Sequence, residues 1–274
     1  MRQSFIKMEY YETYYYANII SNILEDPSPY VRKIHEWYEE NEEEVLLPPF
    51  PKWNRLQQFC EHVIESLIDE NISLTAVDNI RNNPKAQLWL DRALKFHGFD
   101  ISGFQEWMIE NDREISDLTE DDLADYHNEQ YLCGQLGDLI EHLSKETFHV
   151  LFANRNLLLS LNQFLSGILL FNFGDEVPEG LGNSFERPGK LKRVSIPEWV
   201  KRSVFYRDKG MCSSCNKDLS GLVTAQPDKH FDHMVPLALG GLNDITNIQL
   251  LCEKCNLSKS SMPNAVSKLY EAWY

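Results

Sequence analysis

Cys212 and Cys215 form one Cys-x-x-Cys pair, Cys252 and Cys255 another, and 36 residues separate them. Two matched pairs of thiolates make the closed tetrahedral set that holds structural zinc. A redox Cys-x-x-Cys is the rival reading, but it normally occurs as one pair at a helix start. An ion saturated by four sulfurs has no open position, so any reactivity must come from the segment the pairs enclose. That segment contains FDHMVPLALGG, with Asp232 beside His233, followed by Asn247 and then Asn256. A neutral imidazole with a pKa of about 6.5 can take a proton from water near neutral pH, which makes His233 the candidate base. Taken singly, Asp232 and Asn256 read as caps of a turn and of a helix.

The local elements follow from periodicity. HFDHMVPL reads as a strand, ALGGLND as a loop whose paired glycines permit a tight turn, and NIQLL as a second strand. NLSKSSMPNAVSKLYEAW resumes a helical pattern with an irregularity near Pro263. The order is strand, loop, strand, helix, with the cysteine pairs at its base. Adjacent strand residues face opposite sides, so Asp232 and His233 can serve one site only if the strand bends there.

KRSVFYRDKGMCSSC, FDHMVPLALGG and TNIQLLCEKCNLSK together resemble the HNH endonuclease domain, the ββα-metal class of nucleases. The resemblance covers residues 201–260. It implies a metal-binding pair at Asp232 and Asn256, a general base at His233, and an asparagine at Asn247 that orients the histidine loop. Asn256 stands where the signature's third letter is histidine, a common variant. The implied reaction is metal-dependent hydrolysis of DNA phosphodiester bonds, leaving 5′ phosphate and 3′ hydroxyl ends. Oxygen-only protein ligands favour Mg2+ or Mn2+ at this second site, beside the zinc held by the four cysteines. Lys259, Arg207 and Arg202 are the candidate substrate contacts, with Lys192, Arg193 and Lys201 near them; His230 fits no role. RNA cleavage, or an inactive module kept for binding, are the alternatives.

The rest of the 274-residue chain differs in character. Residues 191–274 hold 11 Lys+Arg against 8 Asp+Glu, net +3, whereas residues 1–190 hold 15 against 34, net −19. An acidic surface repels phosphate backbones, so the first part points to a protein partner or to a solubilising surface. Its sequence reads as helix nearly throughout. Leu56, Phe59, Val63, Ile64 and Leu67 share one helix face, and Thr119-x-x-Asp122 is a capping-box variant. Pro84, Gly98, Asp100 and Ser102 read as turns.

The expectation is therefore a mainly α protein. It has an acidic all-helical domain over residues 1–173, a Gly/Pro-rich linker over 174–190 and a small α+β domain over 191–274. Within the tyrosine cluster at 10, 11, 14, 15 and 16, Tyr11, Tyr14 and Tyr15 share a helix face and are expected to line the helical core, the alternative being a stacking or interface surface; Cys60 and Cys133 are expected to be buried, and the six histidines of this half to be structural. The apolar stretch Leu157–Phe171 contains Ser160, Asn162, Gln163, Ser166 and Gly167, and reads as a core helix rather than a membrane span. The N-terminal residues lack the apolar core of an export signal, which with the free cysteine pairs suggests a cytoplasmic protein, and the fusion of an HNH domain to such a module suggests an effector of bacterial defence.

Overall fold

The computed structural model describes residues 6–39, 43, 46–83, 85–221, 229–259 and 266–269. Most of the acidic run 39–44, together with Pro84 and Pro263, lies outside the described residues. Among the described residues the chain is mainly helical. The helices are α1 (Thr13–Glu25), α2 (Val31–Glu39), α3 (Arg55–Asp69), α4 (Leu74–Asn82), α5 (Trp89–Phe96), α6 (Phe104–Glu110), α7 (Glu120–Leu132), α8 (Gln135–Leu151), α9 (Arg155–Phe173), α10 (Glu198–Arg207) and α11 (Glu253–Lys259). The strands are β1 (Phe185–Arg187), β2 (Lys190–Leu191), β3 (Lys229–His233) and β4 (Ile248–Cys252). Two compact units emerge, one from residues 1–17 and 59–148, the other from 18–58 and 149–274. This division differs from the linear one expected at 173–191, because α9 and the segment around Phe50 bury their apolar side chains beside the ββα elements.

Among its described residues the first unit holds helices and no strand. Thr119 and Asp122 close a reciprocal capping box at the start of α7, which satisfies two of the amide donors that a helix start leaves unpaired. Asp91 is buried on α5 and accepts from the Tyr126 hydroxyl at 2.7 Å and the Phe104 amide at 2.9 Å, joining three elements. Phe104, Trp107 and Tyr126 pack around it. Residues 1–17 and 59–148 carry 8 Lys+Arg against 22 Asp+Glu, net −14, so the acidic excess of the chain is concentrated here.

Two expectations for this region are overturned. Helix α1 starts at Thr13, so its inward face is set by Thr13, Tyr16, Ala17 and Ile20, and Tyr14 and Tyr15 are exposed. Cys60 is buried, but Cys133 is exposed, because it is the C-cap of α7 rather than part of its inward face.

In the second unit, α9 buries Leu158, Leu161, Leu165 and Leu169. By length and composition it could cross a membrane, yet Asn154 caps its start and Asn162 donates to Leu158 O at 2.8 Å and to Thr246 Oγ1 at 3.1 Å inside the protein. The expected linker is partly ordered. β1 and β2 form a hairpin in which Phe185 pairs with Leu191, and both are buried. β3 and β4 form the other antiparallel pair, in register from Lys229 opposite Cys252 to His233 opposite Ile248. All five residues of β4 are buried, because α10 and α11 both pack on it. That double cover explains why the neighbours Leu250 and Leu251, which point to opposite faces of β4, are both apolar and buried. Val200, Val204, Leu219, Ile245, Ile248, Leu250 and Leu251 share its core with Phe50. Each buried aliphatic side chain contributes about 1.5–3 kcal/mol before chain entropy is set against it, so this core and the metal knuckle hold the hairpin together.

Candidate nuclease site

His233 ends β3, and the loop after it returns to the start of β4. Three groups fix that loop. Gly240 takes φ +78, and a Cβ on Gly241 would stand 2.0 Å from the Val235 carbonyl oxygen, so this crossing admits only glycine. Asn247 is buried and satisfied at both ends of its amide. Its Oδ1 accepts from Val235 N at 2.8 Å, and its Nδ2 donates to Val235 O and Leu242 O, each at 3.0 Å. It therefore closes the loop that follows His233 onto the first residues before β4.

The turn at Asp244 is held from outside the ββα elements. Asp244 accepts from Thr246 N at 2.9 Å and Thr246 Oγ1 at 2.6 Å. It also pairs with Arg55 at 3.5 Å, both side chains being fully buried. The Phe50 amide donates to Asn243 O at 2.7 Å. These contacts place Asn243 under His233.

The imidazole is buried, and its tautomer can be deduced. Asn243 Nδ2 donates to the Lys192 carbonyl at 2.9 Å, which turns the amide oxygen toward His233 Nε2, 3.2 Å away. An amide oxygen only accepts, so Nε2 carries the proton and Nδ1 carries the free lone pair. Nδ1 is buried without a hydrogen-bond partner in the chain. Burial first, opposed by the bond to Asn243 and the charge of Asp232, pushes the His233 pKa down to about 4. The ring is neutral at pH 7 and holds an acceptor in reserve.

Asp232 and His233 both line one cleft, together with Asn256, Arg193, Ser195, Lys201, Lys229 and His230. Every residue of β3 from Lys229 to His233 lines this cleft, so it meets both faces of the strand and no bend between Asp232 and His233 is needed. Lys259, on the last turn of α11, donates to Asp232 Oδ2 at 2.7 Å and to the His233 carbonyl. Asp232 is partly exposed to the cleft, with one carboxylate oxygen engaged by the ammonium. The donor set offered here is an Asp carboxylate and the Asn256 amide, hard oxygens that fit Mg2+ or Mn2+ and leave places for water.

The cysteines gather at the other end of the hairpin. The four sulfurs of Cys212, Cys215, Cys252 and Cys255 all lie within 4.8 Å of one another, and Cys215 and Cys252 are 3.7 Å apart. Tetrahedral zinc with bonds of about 2.3 Å needs sulfurs about 3.8 Å apart, so the set fits that ion. The first knuckle closes through Cys212 N to Lys217 O and Asn216 N to Cys212 O, both 2.9 Å, with Asn216 at φ 57.

The candidate phosphate contacts divide. Arg202 is exposed on α10. Arg207 is not available, because its guanidinium is buried and bonded to Asp208 and to the Ile248 carbonyl at 2.7 Å. Asp208 in turn accepts from Leu250 N at 3.1 Å, so the pair seals the outer edge of β4. Lys259 is buried as well, and acts on Asp232 rather than on substrate. Sequence reasoning missed Asn243 and Lys229. The LND of ALGGLND carried the signal for Asn243, but only the folded loop brings it to His233.

Residues 212–262 match the family described as HNH endonuclease. No curated protein matches the chain, and no solved structure matches it. The β3–β4–α11 arrangement with its four-cysteine knuckle, and the match over those same residues, place this segment in the HNH endonuclease family.

Proposed function

We propose that the chain is a metal-dependent HNH endonuclease that hydrolyses DNA phosphodiester bonds with His233 as general base. The observation that carries this reading is the buried, unpartnered Nδ1 of His233, given its acceptor character by Asn243, in a cleft shared with Asp232 and Asn256. Nδ1 takes the proton of an incoming water, and the water oxygen attacks phosphorus as the bond to the 3′ oxygen breaks. The imidazolium formed there is stabilised by the Asp232 carboxylate and by the Asn243 oxygen. A divalent ion held by Asp232 and Asn256 would supply the positive charge that the phosphate and the departing oxygen need. Lys259 keeps Asp232 turned toward the cleft. Arg193, Lys201 and Lys229 offer positive charge to the flanking phosphates without reading sequence.

The acidic helical unit is a poor nucleic-acid surface, which supports a role in docking a protein partner or restraining the nuclease, as in a cytoplasmic defence effector. A second reading is an inactive binding module. It rests on the Lys259–Asp232 ion pair, which neutralises the carboxylate without any metal.

Supercoiled plasmid, linear duplex and RNA, each incubated with Mg2+, Mn2+ or EDTA, separate these readings. Cleavage of DNA that stops with EDTA and falls about 10²–10⁴-fold in His233→Ala is the expected outcome. Equal behaviour of wild type and variant on every substrate would sink the enzyme reading, and cleavage of RNA alone would move the substrate.

A further inference from the structure

The histidines of the first unit were expected to be structural because none stands at a metal spacing from another histidine. Folding changes that. His142 and Glu146 lie four residues apart on α8 and share a face. His97, the C-cap of α5, comes in beside them. One ligand atom from each of His97, His142 and Glu146 lies within 4.8 Å of the other two, and the imidazole centroids are 5.0 Å apart.

The hydrogen bonds show which atoms are free. His97 Nδ1 is 2.9 Å from the Ala93 carbonyl, which can only accept, so Nδ1 carries the proton and Nε2 the lone pair. That Nε2 is buried without a hydrogen-bond partner. His142 Nε2 is also buried and without a hydrogen bond, 3.4 Å from Glu146 Oε1. Glu146 is fully buried and holds its carboxylate in place through donors from Glu9 N, Tyr10 N at 3.1 Å and Thr13 Oγ1 at 2.6 Å. Glu9 Oε2, on the segment that binds Glu146, is a further buried oxygen with no partner.

A proton does not resolve this cluster. On His142 Nε2 it would pair with Glu146 and leave His97 Nε2 unpaired; on both rings it would set two like charges face to edge. A cation with several coordination positions engages both nitrogens and the carboxylate at once. Two imidazoles and a carboxylate form a ligand set that zinc takes, with bonds of about 2 Å that require side-chain shifts of order 1 Å here. Imidazole nitrogen selects a transition ion over Mg2+ or Ca2+.

We propose that His97, His142 and Glu146 form a second transition-metal site, of the zinc type, in the acidic helical unit. It ties the end of α5 to α8 and, through Glu146, to the segment entering α1. It is independent of the nuclease cleft and of the cysteine knuckle.

The test uses the full chain loaded with Co2+, whose absorption separates thiolate from imidazole and carboxylate ligands. With Asp232→Ala in every sample, so that the nuclease cleft lacks its carboxylate ligand, the parent chain is expected to take up a sulfur-bound ion and a second ion without thiolate-to-metal charge transfer. The His97→Ala/His142→Ala double variant should keep the first and lose the second, with metal content falling by one ion per chain. Glu146→Gln, whose amide oxygen still accepts from Thr13, should weaken the second ion while leaving the helical circular dichroism unchanged. A parent chain that binds only the sulfur-coordinated ion overturns the proposal whatever the variants do, and so does a double variant that retains both ions.

Discussion

The two ends of the β3–β4 hairpin are built from opposite chemistry. At the Cys252 end four sulfurs converge and leave no vacant position. At the His233 end the candidate ligands are oxygens, one of them already engaged by Lys259, and an imidazole nitrogen is left without a hydrogen-bond partner. The five paired residues separate the two ends by about 14 Å. Cys255 and Asn256, neighbours on α11, belong one to each end. The difference teaches that permanence and exchange follow ligand type: four thiolates suit a closed site that stabilises a fold, whereas hard oxygens beside an open cleft suit an ion that would exchange and meet substrate.

The largest effect is expected at the sulfur end. Cys252→Ser removes a ligand that is also the last residue of β4, and a structural zinc contributes on the order of 10 kcal/mol to folding. Loss of one metal equivalent and of the cooperative unfolding of the ββα elements should appear together in metal analysis and thermal melts. A variant that loses the ion yet still cleaves would break the comparison.

Next is Asn247→Ala. It strips three buried backbone groups of their partners, at Val235 N, Val235 O and Leu242 O. Stability should fall by about 2–4 kcal/mol in chemical denaturation, with zinc content unchanged. Zinc lost at the same time would show that the two ends are one cooperative element.

The smallest change in stability belongs to Asn243→Ala, about 1 kcal/mol. Here the sharper readout is kinetic. Without the amide oxygen the imidazole is free to carry its proton on Nδ1, so cleavage should drop roughly 10–100-fold while the affinity for nucleic acid stays the same. An unchanged rate would show that the tautomer is set elsewhere.

The hairpin, the knuckle and the helical character of the remainder were legible in the sequence because they depend on short-range patterns: period-two runs, Cys-x-x-Cys loops and a capping box at Thr119. What was not legible depends on the tertiary path of the chain. Arg207 and Lys259 look like phosphate contacts until burial is known, and then they prove to be spent on Asp208, Asp232 and main-chain carbonyls. Asn243 acquires its role only when the loop turns back ten residues to His233. His97 and His142 are 45 residues apart, and nothing in their spacing announces that α5 ends beside α8. The tyrosine run reads as one helix face only if the helix includes Tyr11; α1 begins at Thr13 and turns Tyr16, Ala17 and Ile20 inward, leaving Tyr14 and Tyr15 exposed.

Helix α11 measures a fixed length. From Cys255 to Lys259 is about one turn, so the sulfur that anchors the helix and the ammonium that grips Asp232 lie on one side of it, some 6 Å apart along the axis. One extra residue inserted between them would rotate everything beyond by about 100° and carry the ammonium off its carboxylate. The chain thus tolerates variation at Leu257 and Ser258 far better than variation in the length of this turn, and a one-residue insertion between those two should uncouple Lys259 from Asp232 without moving Cys255 or Asn256.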